Sequence, residues 1–63
     1  MYRLKIKEIR ESKNLSLDKL SKLTGIPKTT IYNIEHNNVK ATFENVLKIA
    51  EALNVTVYDF LNE

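Results

Sequence analysis

The apolar residues of this chain recur mainly at helical spacing between short polar segments. Phe43, Val46, Leu47, Ala50 and Leu53 form a stripe with i, i+3, i+4 and i+7 spacing, which is typical of one face of an amphipathic helix. No strong alternation of apolar and polar residues, the pattern of a half-buried strand, follows residue 7. The pattern therefore predicts an all-α fold.

Five helices are expected in a single domain that covers residues 1–63. Their predicted bounds are about 5–13, 17–24, 27–36, 43–53 and 57–61. Ile6 and Ile9 are expected to face inward from the first helix. Leu4 and Ile6 also alternate with charged residues, so a short strand over residues 3–6 is an alternative.

Capping residues mark the predicted helix boundaries. Asn14 and Asn54 can close helices in the left-handed conformation, and Ser16 and Thr56 follow them as N-caps. Thr42 is the expected N-cap of the fourth helix. The chain therefore carries local stop and start signals at three of its helix boundaries.

The second and third predicted helices have the spacing of a helix-turn-helix. Gly25 supplies the positive φ that a tight turn often needs, and Ser21 leaves room for a close helix crossing. Ile31 and Ile34 follow at inward-facing positions, while Pro27 suits the first turn of the third helix. Together these offsets predict a helix-turn-helix motif.

Composition narrows the classes of function. The chain has no cysteine, one histidine and one glycine, which argues against thiolate or histidine-rich metal sites and glycine-rich phosphate loops. No apolar run exceeds two residues, so neither a membrane span nor a signal peptide is expected. Ser16 and Asp18 are explained by helix capping, and no oxyanion cradle accompanies them, so we expect a cytoplasmic non-enzyme without cofactor or metal.

Charge is distributed unevenly along the chain. Residues 1–40 hold nine Lys and Arg against four Asp and Glu, a net charge of +5, whereas residues 41–63 hold one Lys against four acids, a net charge of −3. Scattered charges commonly serve only to solvate helix faces. The alternative is a basic side that meets a polyanion, and charge by itself leaves both interpretations open.

Three segments resemble the Cro and phage-repressor helix-turn-helix family, also called the XRE family. They are IRESKNLSLDKLSKLTGIP, TTIYNIEHN and TFENVLKIAEALNVTVYDFL, and together they cover almost the whole chain. The resemblance implies a compact five-helix bundle of the lambda-repressor type. It also implies a transcriptional regulator, expected to be a repressor, that binds double-stranded operator DNA with its third helix in the major groove.

The resemblance assigns roles on and after the third helix. Lys28, Thr29 and Asn33 fall where family members read base edges, and their side chains suit guanine, the thymine methyl and adenine respectively. Solvated surface is the alternative for these residues. Phosphate contacts are implied for Thr30, Tyr32, His36, Asn38 and Lys40, with helix packing an alternative for Thr30 and Tyr32.

A salt bridge between Arg10 and Glu35 is also implied, tying the first helix to the end of the third; two independent surface charges are the alternative. The chain departs from the family at Leu17, where members often carry a glutamine that touches DNA. That side-chain contact is expected to be lost, and packing into the core is an alternative role for Leu17. Pro27 and Asn37 replace a frequent Ser or Thr and a usual Gly.

One recognition helix reads few base pairs, so a homodimer on two half-sites is expected. The fifth helix offers Val57, Tyr58, Phe60 and Leu61 within five residues. Phe60 and one neighbour are expected inward, which leaves a dimer interface among Val57, Tyr58 and Leu61; in the alternative, Tyr58 covers the core edge. No small-molecule effector domain is expected.

A protein-interaction module of the same fold, of the antitoxin or antirepressor type, is the alternative function. Salt-dependent DNA binding would separate the two readings.

Overall fold

The computed structural model describes residues 4–61, and every regular element in this range is helical. The order is α1 (Ile6–Ser12), α2 (Leu17–Thr24), α3 (Lys28–Glu35), α4 (Phe43–Leu53) and a 3₁₀ helix (Val57–Phe60). None of these helices is long and apolar enough to cross a lipid bilayer.

The alternative, a short strand over residues 3–6, is not found in the part of the chain that the structure describes. Arg3 lies outside the described range, Leu4 and Lys5 have no regular structure, and Ile6 already begins α1. Lys5 N–H instead donates to the carbonyl of Phe60 at 2.8 Å, so the segment before α1 is joined to the 3₁₀ helix.

The helix boundaries follow the capping residues. Ser16 accepts from the Lys19 N–H and Thr42 from the Asn45 N–H, both at 3.1 Å. The left-handed residues are Asn14, Asn37, Asn54 and Gly25, with φ between 58° and 76°. Asparagine and glycine reach this conformation at low steric cost, so each can reverse the chain between neighbouring helices.

The core lies where α2, α3, α4 and the 3₁₀ helix meet the inner side of α1. Its buried members come from every element, so no helix could bury its apolar face alone. They are Ile6, Leu20, Ile26, Ile31, Ile34, Val46, Ile49, Ala50, Leu53 and Phe60. Ile9, Leu15, Leu17, Val55 and Val57 pack partly against this core.

The predicted inward stripe of α4 was wrong at two positions. Phe43 is 70% exposed and Leu47 39% exposed, whereas Ile49 is fully buried. The buried stripe of α4 is instead Val46, Ile49, Ala50 and Leu53, which has the same i, i+3, i+4, i+7 spacing. Phe43 and Leu47 lie beside this stripe and remain exposed. Sequence periodicity allows both stripes; packing against α2 selects one.

The predicted fifth α-helix is a 3₁₀ helix of four residues. Asp59 N–H bonds to Thr56 O at 3.0 Å and Leu61 N–H to Tyr58 O at 3.1 Å, the i→i+3 pattern. The Asp59 carboxylate also accepts from the Thr56 N–H at 2.9 Å. At Leu61 the backbone is extended, so the segment ends before an i→i+4 ladder develops.

The third helix begins one residue later than predicted. Pro27 has φ −56° and ψ 141°, so it stands at the N-cap and Lys28 is the first helical residue. Ile26, between the turn at Gly25 and Pro27, is buried in the core before α3 starts.

Candidate nucleic-acid interface

Side chains of α2 fix the turn that leads into α3. Ser21 Oγ donates to the Ile26 carbonyl at 2.6 Å, and the Gly25 N–H bonds back to the Ser21 carbonyl at 2.8 Å. Thr24 Oγ1 accepts from the Ile26 N–H at 3.1 Å. The sequence predicted Ser21 as a small residue at a helix crossing. Its hydroxyl also fixes the segment that leads into α3. The signal in the sequence that could have predicted this bond was a hydroxyl-bearing residue four positions before the turn glycine.

The helix α3 has a buried side and an outward side. Ile31, Ile34 and Glu35 are buried, whereas the outward positions follow each other at spacings of three and four residues. These are Lys28, Thr29, Tyr32 and His36, all exposed, and Asn33, which is half-buried. Thr30 is half-buried at the edge of this face. The residues assigned to bases therefore share one face of a short helix.

Lys28 forms an ion pair that sequence reasoning missed. Its Nζ lies 3.2 Å from Asp18 Oδ1 in the first turn of α2, and both side chains remain more than half exposed. Such an exposed pair contributes about 0–1 kcal/mol. It holds the lysine near α2, and any contact of Lys28 with another acceptor competes with Asp18.

Asn33 is held by Asn38. The Asn38 side-chain amide donates to Asn33 Oδ1 at 3.2 Å, and the Asn38 N–H donates to the Asn33 carbonyl at 2.9 Å. Left-handed Asn37 brings Asn38 back towards α3. An amide oxygen accepts two hydrogen bonds, so Asn33 keeps one acceptor position and its own amide donors for a ligand.

Tyr32 and His36 stack one turn apart on α3. Their ring centroids are 4.1 Å apart, and His36 Nδ1 lies 2.8 Å from the Tyr32 carbonyl oxygen. A carbonyl oxygen only accepts, so this contact is a hydrogen bond in the tautomer that carries its proton on Nδ1. Lys40 is exposed in the segment between α3 and α4.

Arg10 and Glu35 form the buried ion pair that the resemblance implies. Arg10 Nε donates to Glu35 Oε2 at 2.7 Å and Nη2 to Oε1 at 3.3 Å. The third guanidinium nitrogen donates to the Leu15 carbonyl at 2.7 Å. One side chain of α1 therefore ties the loop before α2 to the last residue of α3.

The predicted dimer residues lie on and beside the 3₁₀ helix. Tyr58 is 81% exposed, while Val57 and Leu61 are half-buried and Phe60 is fully buried. Within residues 4–61 no group of three His, Cys, Asp or Glu side chains could hold a metal ion.

The chain resembles known helix-turn-helix proteins in sequence and structure. It is 33% identical over 57 residues to the HTH-type transcriptional regulator SutR of Escherichia coli K12, covering 90% of this chain and about a third (32%) of SutR. Its structure resembles the restriction-modification controller protein C.AhdI of Aeromonas hydrophila, with a TM-score of 0.86, 27% identity and coverage of 89% of this chain and 85% of that one.

The N-terminal DNA-binding domain of SinR from Bacillus subtilis gives a TM-score of 0.84 at 30% identity, covering 94% of this chain and 87% of that domain. The family model for the helix-turn-helix, HTH_3, matches residues 6–60. The chain therefore belongs to the XRE-type helix-turn-helix family of transcriptional regulators.

Proposed function

We propose that this chain represses transcription by binding a specific double-stranded operator, with α3 in the major groove. The observation that carries the proposal is the outward face of α3, on which Lys28, Thr29 and Asn33 are free of the core while Ile31 and Ile34 anchor the helix. Recognition helices place their N-terminal residues against base edges in this way. SinR, a structural relative, has been solved in complex with DNA.

The phosphate contacts are proposed for Thr30, Tyr32, His36, Asn38 and Lys40. Four of the five are exposed, and Thr30 is half-buried at the edge of the recognition face. Lysine donates directly to phosphate oxygens, and an imidazole N–H of His36 that is not bonded to the Tyr32 carbonyl can do the same. These contacts would position α3 without specifying sequence.

Specific binding should be strongly salt-dependent. Selection from a random duplex pool should yield an operator that binds tighter than random duplex, because base contacts add to phosphate contacts. If two protomers make about six phosphate contacts, affinity should fall on the order of 10³-fold between 50 and 200 mM salt. Fluorescence anisotropy titrations at a series of salt concentrations measure both quantities.

Equal affinity for selected and random duplex at moderate salt would contradict specific regulation. Binding of neither duplex would favour the protein-interaction reading of the same fold.

A homodimer is proposed to present two copies of α3 to half-sites about one helical turn, roughly 34 Å, apart. Exposed Tyr58 is central to the proposed interface, flanked by half-buried Val57 and Leu61. Tyr58→Asp should therefore reduce the dimeric fraction, because it places a charge in an apolar contact. Analytical ultracentrifugation with and without a two-half-site operator measures this effect.

Phe43→Asp is the matched control, since Phe43 is also an exposed aromatic residue. Loss of dimer in Phe43→Asp alone would move the interface to α4. One monomer per operator at saturation would contradict the dimer altogether.

A further inference from the structure

An open notch of about 370 Å³ lies between the first turns of α2 and α3, lined by Leu17, Lys28, Thr29 and Tyr32. Leu17 packs partly against the core and is only half-buried, so part of its side chain remains at this notch. The notch opens on the same face of α3 that carries the residues proposed to read bases.

The walls of the notch favour an apolar ligand group. Leu17 offers only hydrocarbon, Thr29 adds a methyl group and Tyr32 an aromatic ring. Among the groups that a base pair presents in the major groove, the one apolar group is the methyl at C5 of thymine, which 5-methylcytosine also carries. A leucine side chain at the start of α2 cannot hydrogen-bond to DNA, but it can exclude water from such a methyl group.

The rim of the notch argues against a phosphate as its occupant. Lys28 Nζ lies 3.2 Å from Asp18 Oδ1. The carboxylate of Asp18 therefore already balances the positive charge of Lys28 at the rim. A phosphate would also meet the Asp18 carboxylate, which is largely exposed, and like charges repel. A neutral base edge avoids this repulsion.

We propose that this notch receives the 5-methyl group of one pyrimidine in each operator half-site, and that Leu17 is the specificity-determining wall. The proposal rests on the proposed binding of operator DNA by α3. The sequence indicated that Leu17 loses the polar DNA contact of the family glutamine and left core packing as an alternative; in this proposal Leu17 makes an apolar contact with DNA instead.

Replacement of single thymines by uracil in the selected operator tests the proposal, because uracil lacks only the methyl group. At one thymine per half-site, uracil should weaken wild-type binding about fourfold, the factor expected for burial of one methyl group. If the selected base is cytosine, 5-methylcytosine should instead strengthen binding by a similar factor.

Leu17→Ala should abolish this discrimination at the same position and leave effects at other base pairs unchanged. Leu23→Ala is the matched control, because Leu23 is a largely exposed leucine of α2 that does not line the notch. Thr29→Ser removes a methyl group from the opposite wall without touching the core, and should reduce the discrimination even if Leu17→Ala does not fold.

Wild-type protein that binds methylated and unmethylated operators equally at every position would overturn the notch proposal while leaving operator binding intact. Discrimination that persists in a folded Leu17→Ala variant would overturn it as well, whatever the result for Thr29→Ser. Failure to select any operator would instead overturn the proposed function on which it rests.

Discussion

Glu35→Ala is expected to lower the free energy of unfolding by about 3–5 kcal/mol, because it leaves the Arg10 guanidinium buried without its counter-charge. Both residues are less than a tenth exposed, and the pair is held by two hydrogen bonds of 2.7 and 3.3 Å. Small domains have only about 0.05–0.15 kcal/mol of stability per residue, so the loss should be a large fraction of the total. Urea denaturation followed by circular dichroism measures it.

Glu44→Ala is the matched control for this prediction. Glu44 pairs with Lys48 at 3.6 Å on the surface of α4, with side chains 79% and 48% exposed respectively, so its loss should cost only about 0–1 kcal/mol. Arg10→Met combined with Glu35→Leu should be less destabilised than Glu35→Ala, since no unpaired charge remains. A loss for Glu35→Ala no larger than that for Glu44→Ala would show that the buried pair does not stabilise the fold.

The second large effect is expected in DNA recognition. Lys28→Ala and Asn33→Ala should each cost about 1–3 kcal/mol on the selected operator and relax the preference at one base pair. Asn38 already orients the Asn33 amide through its 3.2 Å hydrogen bond, which reduces the entropy lost on pairing with adenine. Competition titrations against operators with single base changes measure both the affinity and the preference.

Two lysine variants separate base reading from general attraction. Lys40→Ala should weaken binding to all sequences alike and lower the salt slope by about one. Lys48→Ala, on the surface of α4, should change neither quantity. Unchanged base preference in both Lys28→Ala and Asn33→Ala would remove these residues from the proposed reading set.

The Lys28–Asp18 pair affects how the Lys28 result is read. Removing Lys28 also releases the Asp18 carboxylate, which would repel DNA phosphates on its own. Asp18→Asn combined with Lys28→Ala separates the two contributions. If Lys28 reads a base, the double variant should recover affinity without recovering the preference at that base pair.

The sequence by itself determined the features that depend on neighbouring residues. Ser16 and Thr42 cap α2 and α4 as expected, and Gly25 and Asn54 adopt the left-handed conformation at helix ends. Caps and turns act within about four residues, so local chemistry is sufficient to predict them. The helix-turn-helix and the inward positions of Ile31 and Ile34 follow from the same short spacings.

Tertiary packing decided which apolar residues enter the core and what surrounds the outward side of α3. Phe43 and Leu47 fit a helical stripe yet remain exposed, because α4 packs against α2 and buries Ile49 instead. The short segment after Thr56 closes as a 3₁₀ helix. The Lys28–Asp18 pair and the notch at Leu17 join residues 10 to 15 positions apart on different helices. Such contacts depend on how two helices cross, and the period of either helix alone does not specify that geometry.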